Sequence, residues 1–296
     1  MKKVLALVDL IRPKQWIKNL FIFLPVFFAG KMNDIEITGK AITAFAVFCL
    51  MAGVVYIIND LKDVESDRAH SIKKNRPLAR RAISANQAMC FAFFLFVSAL
   101  SVSFFFTTKS FFILILVYFT TNVLYSFWLK HIPIVDIVII ASGFLLRIYA
   151  GSFVTGIANS YWITLLTFVL ALFLALGKRY DDLCLDESGS GHARIRNLDG
   201  YNIAFVTFSM SIVAAVAIVS YILYTVSPEM QMRYHSSNLY LTSFWVIIGF
   251  LRYGQLTIVQ KRSGSPTQLF WSDPFLASTV IAWILMLSYF IYVVRV

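Results

Sequence analysis

The stretch YIINDLKDVESDRAHSIKKNRP, residues 56–77, holds the side chains of this chain best suited to chemistry. An apolar run ends in Asn59, and Asp60, Asp63 and Asp67 follow. If the helix entering the stretch continues, the three carboxylates fall at i, i+3 and i+7, on one face. Acids so placed repel one another and do little for a fold. They suit a hard cation such as Mg²⁺, which takes oxygen ligands, keeps several waters and is commonly completed by substrate phosphates. No Cys or His stands beside them at a zinc-like spacing. Lys73, Lys74 and Arg76 can meet phosphate oxygens, arginine through a bidentate fork and lysine as a point charge. Acids for a metal beside cations for phosphate describe a site that stabilises a departing diphosphate. The plainer account is a solvated basic loop; the alignment of three acids with Asn59 and a second acidic stretch weigh against it.

That second stretch is GKRYDDLCLDESGSGHARIRNLDGY, residues 177–201, with Lys178, Arg179, Asp181, Asp182 and Asp186. Lys178 and Arg179 add to the phosphate-binding cations. The acids Asp181, Asp182 and Asp186 offer a further ligand.

The elements that must position these groups are membrane helices. The chain of 296 residues is 59% hydrophobic, 14% charged and carries 28 Phe, against roughly 45–50% and 25% for a soluble domain. Apolar runs near the ~20 residues that cross a bilayer recur at about 19–31, 41–58, 87–106, 110–127, 134–153, 160–177, 203–226, 239–256 and 275–294. The expectation is an all-α, polytopic bundle of about nine helices forming one transmembrane domain over residues 1–296. Segments 59–86 and 178–202 are read as loops at its active-site mouth. The opening MKKVLALVDLI reads as a short interfacial helix with Trp16 as its anchor, and not as a cleaved signal peptide. Cys49, Cys90 and Cys184 form no pattern. The net charge of +11 concentrates in the N-terminus and in loops 59–86, 128–133, 178–202 and 257–274. This bias places the N-terminus and both acidic segments in the cytoplasm and the C-terminus outside. The cations alternate with acids, which argues against a nucleic-acid partner.

Other candidates lie outside the acidic stretches. RPKQWIKN sets Arg12, Lys14 and Lys18 at the entrance of the first span, with Lys14 and Lys18 four apart on one helical face. They are either interfacial anchors or a clamp on a substrate phosphate. Lys130 joins the cytoplasmic cations. Arg147 lies well inside the fifth span, where a charge is costly and usually faces a cavity or partner; it is read as a cavity-lining group that orients substrate phosphate or the loop acids. Asp136, about 16 Å away along the helix, is too distant to pair with it. Asn122, Tyr125 and Tyr180 rank lower, and His70, His131, His192 and His235 read as loop residues.

NDLKDVESD resembles the N-D-x-x-D-x-x-x-D signature of the UbiA superfamily of intramembrane prenyltransferases, and KNRP stands where that superfamily often has a basic-Pro element. RPKQWIKNLFIFLP, LYSFWLKHIPIVDIVIIASGFLLRIYAGS and LALGKRYDDL with RNLDGY are similar to the branch of decaprenyl-phosphate phosphoribosyltransferases. The resemblance spans roughly residues 10–205. It implies transfer of 5-phosphoribose from 5-phosphoribosyl diphosphate to a polyprenyl phosphate in a bacterial cytoplasmic membrane. Mg²⁺, for which Mn²⁺ could stand in, would assist release of pyrophosphate. Asp60, Asp63 and Asp67 would be catalytic metal ligands, with Asp182 a further catalytic acid. Asn59, Lys14, Lys18, Lys73, Lys74, Arg76, Lys130, Arg147, Lys178 and Arg179 would bind substrate. A homo-oligomer is compatible with the sequence.

The acidic motif serves a diphosphate on either substrate, so prenylation of an aromatic or quinone-precursor acceptor stays open. Asp182 and Asp186 match the D-x-x-x-D that ordinary prenyltransferases use for a second metal, whereas in the phosphoribosyltransferase branch an acid at Asp182 suffices. A transporter is the third reading. Its usual paired, Gly/Pro-broken mid-membrane helices are missing from this sequence.

Overall fold

Length and polarity decide where the helices begin and end. The computed structural model describes residues 2–69, 73–187, 198, 200–261 and 266–294, and among these every regular element is helical. His70 and His192, named above, and parts of the expected loops 59–86, 178–202 and 257–274 lie outside the described residues. The described residues divide into two compact units, one up to Asn159 and the other from Ser160 onward.

In the first unit, α1 (Lys2–Leu10) is the short helix expected at the N-terminus. A 3₁₀ segment follows over Pro13–Phe23, then α2 (Leu24–Phe28). The first expected span thus begins earlier than position 19 and winds differently. At about 2.0 Å per residue in the 3₁₀ part and 1.5 Å in α2, residues 13–28 cover roughly 30 Å, the thickness of a hydrocarbon core. Pro13 stands at its first position, where a missing N–H costs nothing.

The long helix α3 (Ile35–Lys62) starts at Asp34, whose carboxylate accepts from Ile37 N at 3.1 Å. Its 28 residues extend about 42 Å, more than the ~30 Å hydrocarbon core. The final turn therefore carries Asn59, Asp60 and Lys62 beyond the apolar slab. Asp63 caps it, and α4 (Val64–Ala69) resumes immediately, with Asp67 N donating to Asp63 O at 2.8 Å. After the basic segment come α5 (Ala85–Phe106), α6 (Lys109–Phe127), a 3₁₀ turn at Leu129–His131 and α7 (Val135–Thr155). Among the long helices α3 is the most buried, so it is the axis of this unit.

The second unit holds α8 (Tyr161–Glu187), α9 (Ile203–Val226), α10 (Pro228–Tyr234), α11 (Ser243–Gly254), α12 (Pro266–Ser272) and α13 (Pro274–Tyr289). Asp273 caps α13 through Leu276 N at 2.7 Å and pairs with Arg252 of α11 at 2.6 Å. The helix α8 runs ten residues past the expected end at 177. Lys178, Arg179, Asp181, Asp182 and Asp186 are therefore on its last turns and not in a loop. No proline interrupts that run, and hydropathy marks where an apolar slab ends, not where hydrogen bonding stops.

Eight helices among the described residues are long and apolar enough to cross a bilayer. With the 3₁₀/α2 segment they account for the expected set of about nine. The protein is an all-α integral membrane protein.

A capping box closes the start of α5: Ser84 Oγ accepts from Gln87 N at 3.3 Å, and Gln87 Oε1 accepts from Ser84 N at 3.2 Å. Ser84→Ala is expected to cost about 1 kcal/mol, read as a lower midpoint of thermal unfolding in detergent, while Ser84→Asp stays close to the parent.

Candidate active site

The overlong α3 delivers Asp60 to a place where it is only 2% exposed. A buried carboxylate needs a charged or hydrogen-bonding partner, and two arginines from different segments supply one. Arg12 forms a short ion pair with Asp60 Oδ1. Arg76 Nη1 lies 3.1 Å from the same oxygen and 2.6 Å from Oδ2 of Asp67. Asp67 is itself 3% exposed. Asp60 and Asp67, seven residues apart across the Asp63 cap, thus converge on one guanidinium nitrogen.

Arg12 reaches the site because its backbone is left-handed (φ 50°, ψ 63°) just before the 3₁₀ segment. Its guanidinium lies 5.0 Å from the centre of the Tyr56 ring, one α3 turn before Asp60. Burial pulls the Arg12 guanidinium below its ordinary pKa against the opposing pull of Asp60, and neighbouring Arg76 lowers it further. An arginine stays charged even so. Of the three entrance cations, Arg12 is brought onto Asp60.

Asp63 turns elsewhere. Lys130 Nζ, in the turn after α6, sits 3.2 Å from its Oδ1 and 3.4 Å from its Oδ2. The adjacent Lys62 donates to the carbonyls of Ser126 and Phe127 at 2.5 and 3.2 Å, capping the C-terminus of α6. The single face expected for Asp60, Asp63 and Asp67 is split two and one, because the helix breaks at Asp63. The half-buried Asn59 accepts a backbone bond from Asp63 N at 2.9 Å. Lys73 and Lys74 stand exposed on a 3₁₀ turn beside Arg76.

Two expected groups take other places. In a 3₁₀ winding residues three apart share a face, so Lys14 and Lys18 diverge. Lys14 is exposed and Lys18 half-buried. Arg147, 6% exposed, donates from Nε to Asn19 Oδ1 at 2.8 Å, from Nη1 to Gly143 O at 2.7 Å and from Nη2 to Tyr118 OH at 3.3 Å. It is ringed by Phe48, Tyr118 and Phe144 and, among the described residues, forms no ion pair with the acids of the charged segments. Asn122 spends its amide on Tyr118 O at 2.8 Å.

In the second unit, Arg179 is 7% exposed and donates from Nη1 to Asp182 Oδ2 at 3.2 Å, one turn along α8. Lys178 and Asp186 are exposed, and Asp181 is half-buried. Tyr180 donates to Ile258 O at 3.5 Å.

No group of three or more His, Cys, Asp or Glu among the described residues forms a ready cage for a metal. The Asp60–Asp67 pair nevertheless fits a hard divalent ion. Its donors are carboxylate oxygens that already converge on one cationic point, and Mg²⁺ is commonly held by one or two carboxylates plus substrate phosphates.

Residues 19–295 match the UbiA prenyltransferase family. The chain is 34% identical over 291 residues to decaprenyl-phosphate phosphoribosyltransferase of Mycolicibacterium smegmatis, covering 95% of this chain and 91% of the relative. It is 30% identical to the enzyme of that name from Corynebacterium glutamicum, over 97% and 87% of the two chains. Among solved structures, a UbiA homolog from Archaeoglobus fulgidus bound to DMAPP and Mg²⁺ superposes with a TM-score of 0.69 at 20% identity, over 96% of this chain and 97% of that one. At that identity the superposition speaks for the fold.

Arg76 joins two buried carboxylates, so its removal strands both. Arg76→Met is expected to lower stability by about 3 kcal/mol in thermal unfolding at neutral pH. Adding Asp67→Asn should recover part of the loss.

Proposed function

We propose, from the premise that this chain belongs to the UbiA prenyltransferase family, that it transfers 5-phosphoribose from 5-phosphoribosyl diphosphate to a polyprenyl phosphate and releases pyrophosphate. One observation carries the reaction class: two buried carboxylates, Asp60 and Asp67, converge on Arg76, with Arg12 also on Asp60. The choice of phosphoribosyl over prenyl donor rests on the named activity of relatives that match nearly the whole chain.

Asp60 and Asp67 would hold Mg²⁺, which supplies charge for the departing diphosphate oxygen. Arg76 and Arg12 can move their donors from carboxylate to phosphate oxygens, so that the carboxylates stay satisfied while the guanidinia bind substrate. Lys130, paired with Asp63, is placed to make the same exchange as a point charge. Lys73 and Lys74 extend the basic surface beside Arg76. The lipid phosphate is already an anionic nucleophile near neutral pH, so no histidine base is called on. Charge is what the site must manage: three carboxylates against Arg12, Arg76 and Lys130 leave it close to neutral before a diphosphate arrives. Lys14, Lys18, Asn59, Lys178, Arg179 and Asp182 belong to this proposal on the sequence resemblance. The basic bias of the N-terminus and of the loops read as cytoplasmic supports a reaction on the cytoplasmic side of a bacterial membrane.

A second reading has a specific observation behind it. The helical course of α8 sets Asp182 and Asp186 one turn apart on one face, which suits a second metal ion in prenyl transfer. The test gives purified protein Mg²⁺, phosphoribosyl diphosphate and a polyprenyl phosphate, with polyprenyl diphosphate and 4-hydroxybenzoate in a parallel tube. Labelled ribose is expected in the lipid phase of the first tube, lost with EDTA and lowered more than about a hundredfold by Asp60→Asn or Asp63→Asn in folded protein. Product in the second tube alone would overturn the phosphoribosyl assignment.

A further inference from the structure

The 3₁₀ segment Pro13–Phe23 has 11 residues, where such winding rarely lasts beyond three or four. Two of its residues are buried, Asn19 at 1% and Ile22 at 0% exposure. They are three apart, one full 3₁₀ turn, so their side chains are stacked about 6 Å apart on one face. Both meet α7. Asn19 Oδ1 accepts from Arg147 Nε at 2.8 Å, while its amide donates to Cys49 Sγ at 3.2 Å. Ile22 presents its backbone carbonyl to Gly151 so closely that a Cβ on Gly151 would collide with the oxygen. Arg147 and Gly151 are four apart on α7, also about 6 Å along the axis and on one face. A donor and a gap on α7 thus match the repeat of a 3₁₀ helix.

The match has a consequence at the other end of the segment. From Asn19 back to Pro13 is six residues. The 3₁₀ winding brings Pro13 onto the same face after about 12 Å; an α-helical winding would shorten that path by about 3 Å and rotate it by roughly 120°. Arg12 immediately precedes Pro13, its carbonyl accepting from Gln15 N at 2.8 Å as the first 3₁₀-type bond. The winding therefore decides whether the Arg12 guanidinium reaches Asp60.

We infer that Arg147 and Gly151 are positioning residues: they hold residues 13–23 in a 3₁₀ winding and so set Arg12 on Asp60. Arg147 acts on the site through Asn19 and the intervening backbone, without touching substrate. The inference rests on the reading of Arg12 and Asp60 as part of a metal–diphosphate site.

A double-mutant cycle tests it, using the full-length protein in detergent with magnesium pyrophosphate as the ligand. Amide hydrogen exchange over residues 13–23 is the second readout and does not depend on the chemistry. Arg147→Met, which removes the donors and keeps the bulk, is expected to speed that exchange and to weaken pyrophosphate binding about tenfold. In an Arg12→Ala background the same change should leave binding unaltered. Gly151→Ala is expected to reproduce both effects, so a folding failure of one variant does not decide the matter. Unchanged exchange in residues 13–23, or an equal binding loss with and without Arg12, would overturn the inference. Faster exchange in a protein that never binds magnesium pyrophosphate would uphold the clamp on the segment and overturn its link to a metal–diphosphate site.

Discussion

Asp60 sits in the last turn of a helix long enough to project from the hydrocarbon, and at 2% exposure it must keep a cation or lose its charge. That requirement organises the first unit. Arg12 comes to it from the residue before the first membrane segment, and Arg76 from the basic stretch after α4. Asp67 enters because Arg76 has a second acid to serve. One carboxylate thereby ties together three parts of the chain that hydropathy alone would leave independent. Removing one partner of such a cluster costs more than the whole cluster contributes, because the remainder stays buried and uncompensated.

The unit also buries Arg147 and satisfies it by other means. Among the described residues Arg147 has no carboxylate partner. Neutral oxygens of Asn19, Gly143 and Tyr118 accept its protons, and three aromatic rings surround it. A guanidinium suits this role because its planar fork presents donors in several directions and is weakly hydrated. The contrast has functional meaning. The Asp60 cluster is built from ion pairs whose members can change partners when another ion arrives. The Arg147 node is built from fixed neutral acceptors, which suits a part that stays in place.

Asp63 shows how a short break in a helix redirects chemistry. As the C-cap of α3 it leaves the helical path, and its carboxylate meets Lys130 while its backbone oxygen still receives Asp67 N. The motif thus keeps its spacing in sequence but serves three cations, Arg12, Arg76 and Lys130. Lys62, one residue earlier, closes the end of α6, so the motif also fixes the helix corner that brings Lys130 within reach.

The sequence by itself determined the membrane class, the helical spans and the acidic motif with its basic followers. These are local properties: apolar run lengths, the i, i+3, i+7 spacing and the charge bias can all be counted along the chain. It also carried the family resemblance, since the matching stretches are contiguous. What it left undecided was which cation meets which acid. The pairs Arg12–Asp60, Arg76–Asp60 and Lys130–Asp63 join residues 48, 16 and 67 positions apart, and no local pattern selects Arg12 over Lys14 or Lys18. The winding of residues 13–23 was equally hidden. Local preference favours an α-helix there, and the tighter turn matches the spacing of Arg147 and Gly151 on α7. Tertiary structure decided these points because a buried charge is satisfied by whichever partner the packed helices bring within hydrogen-bonding distance.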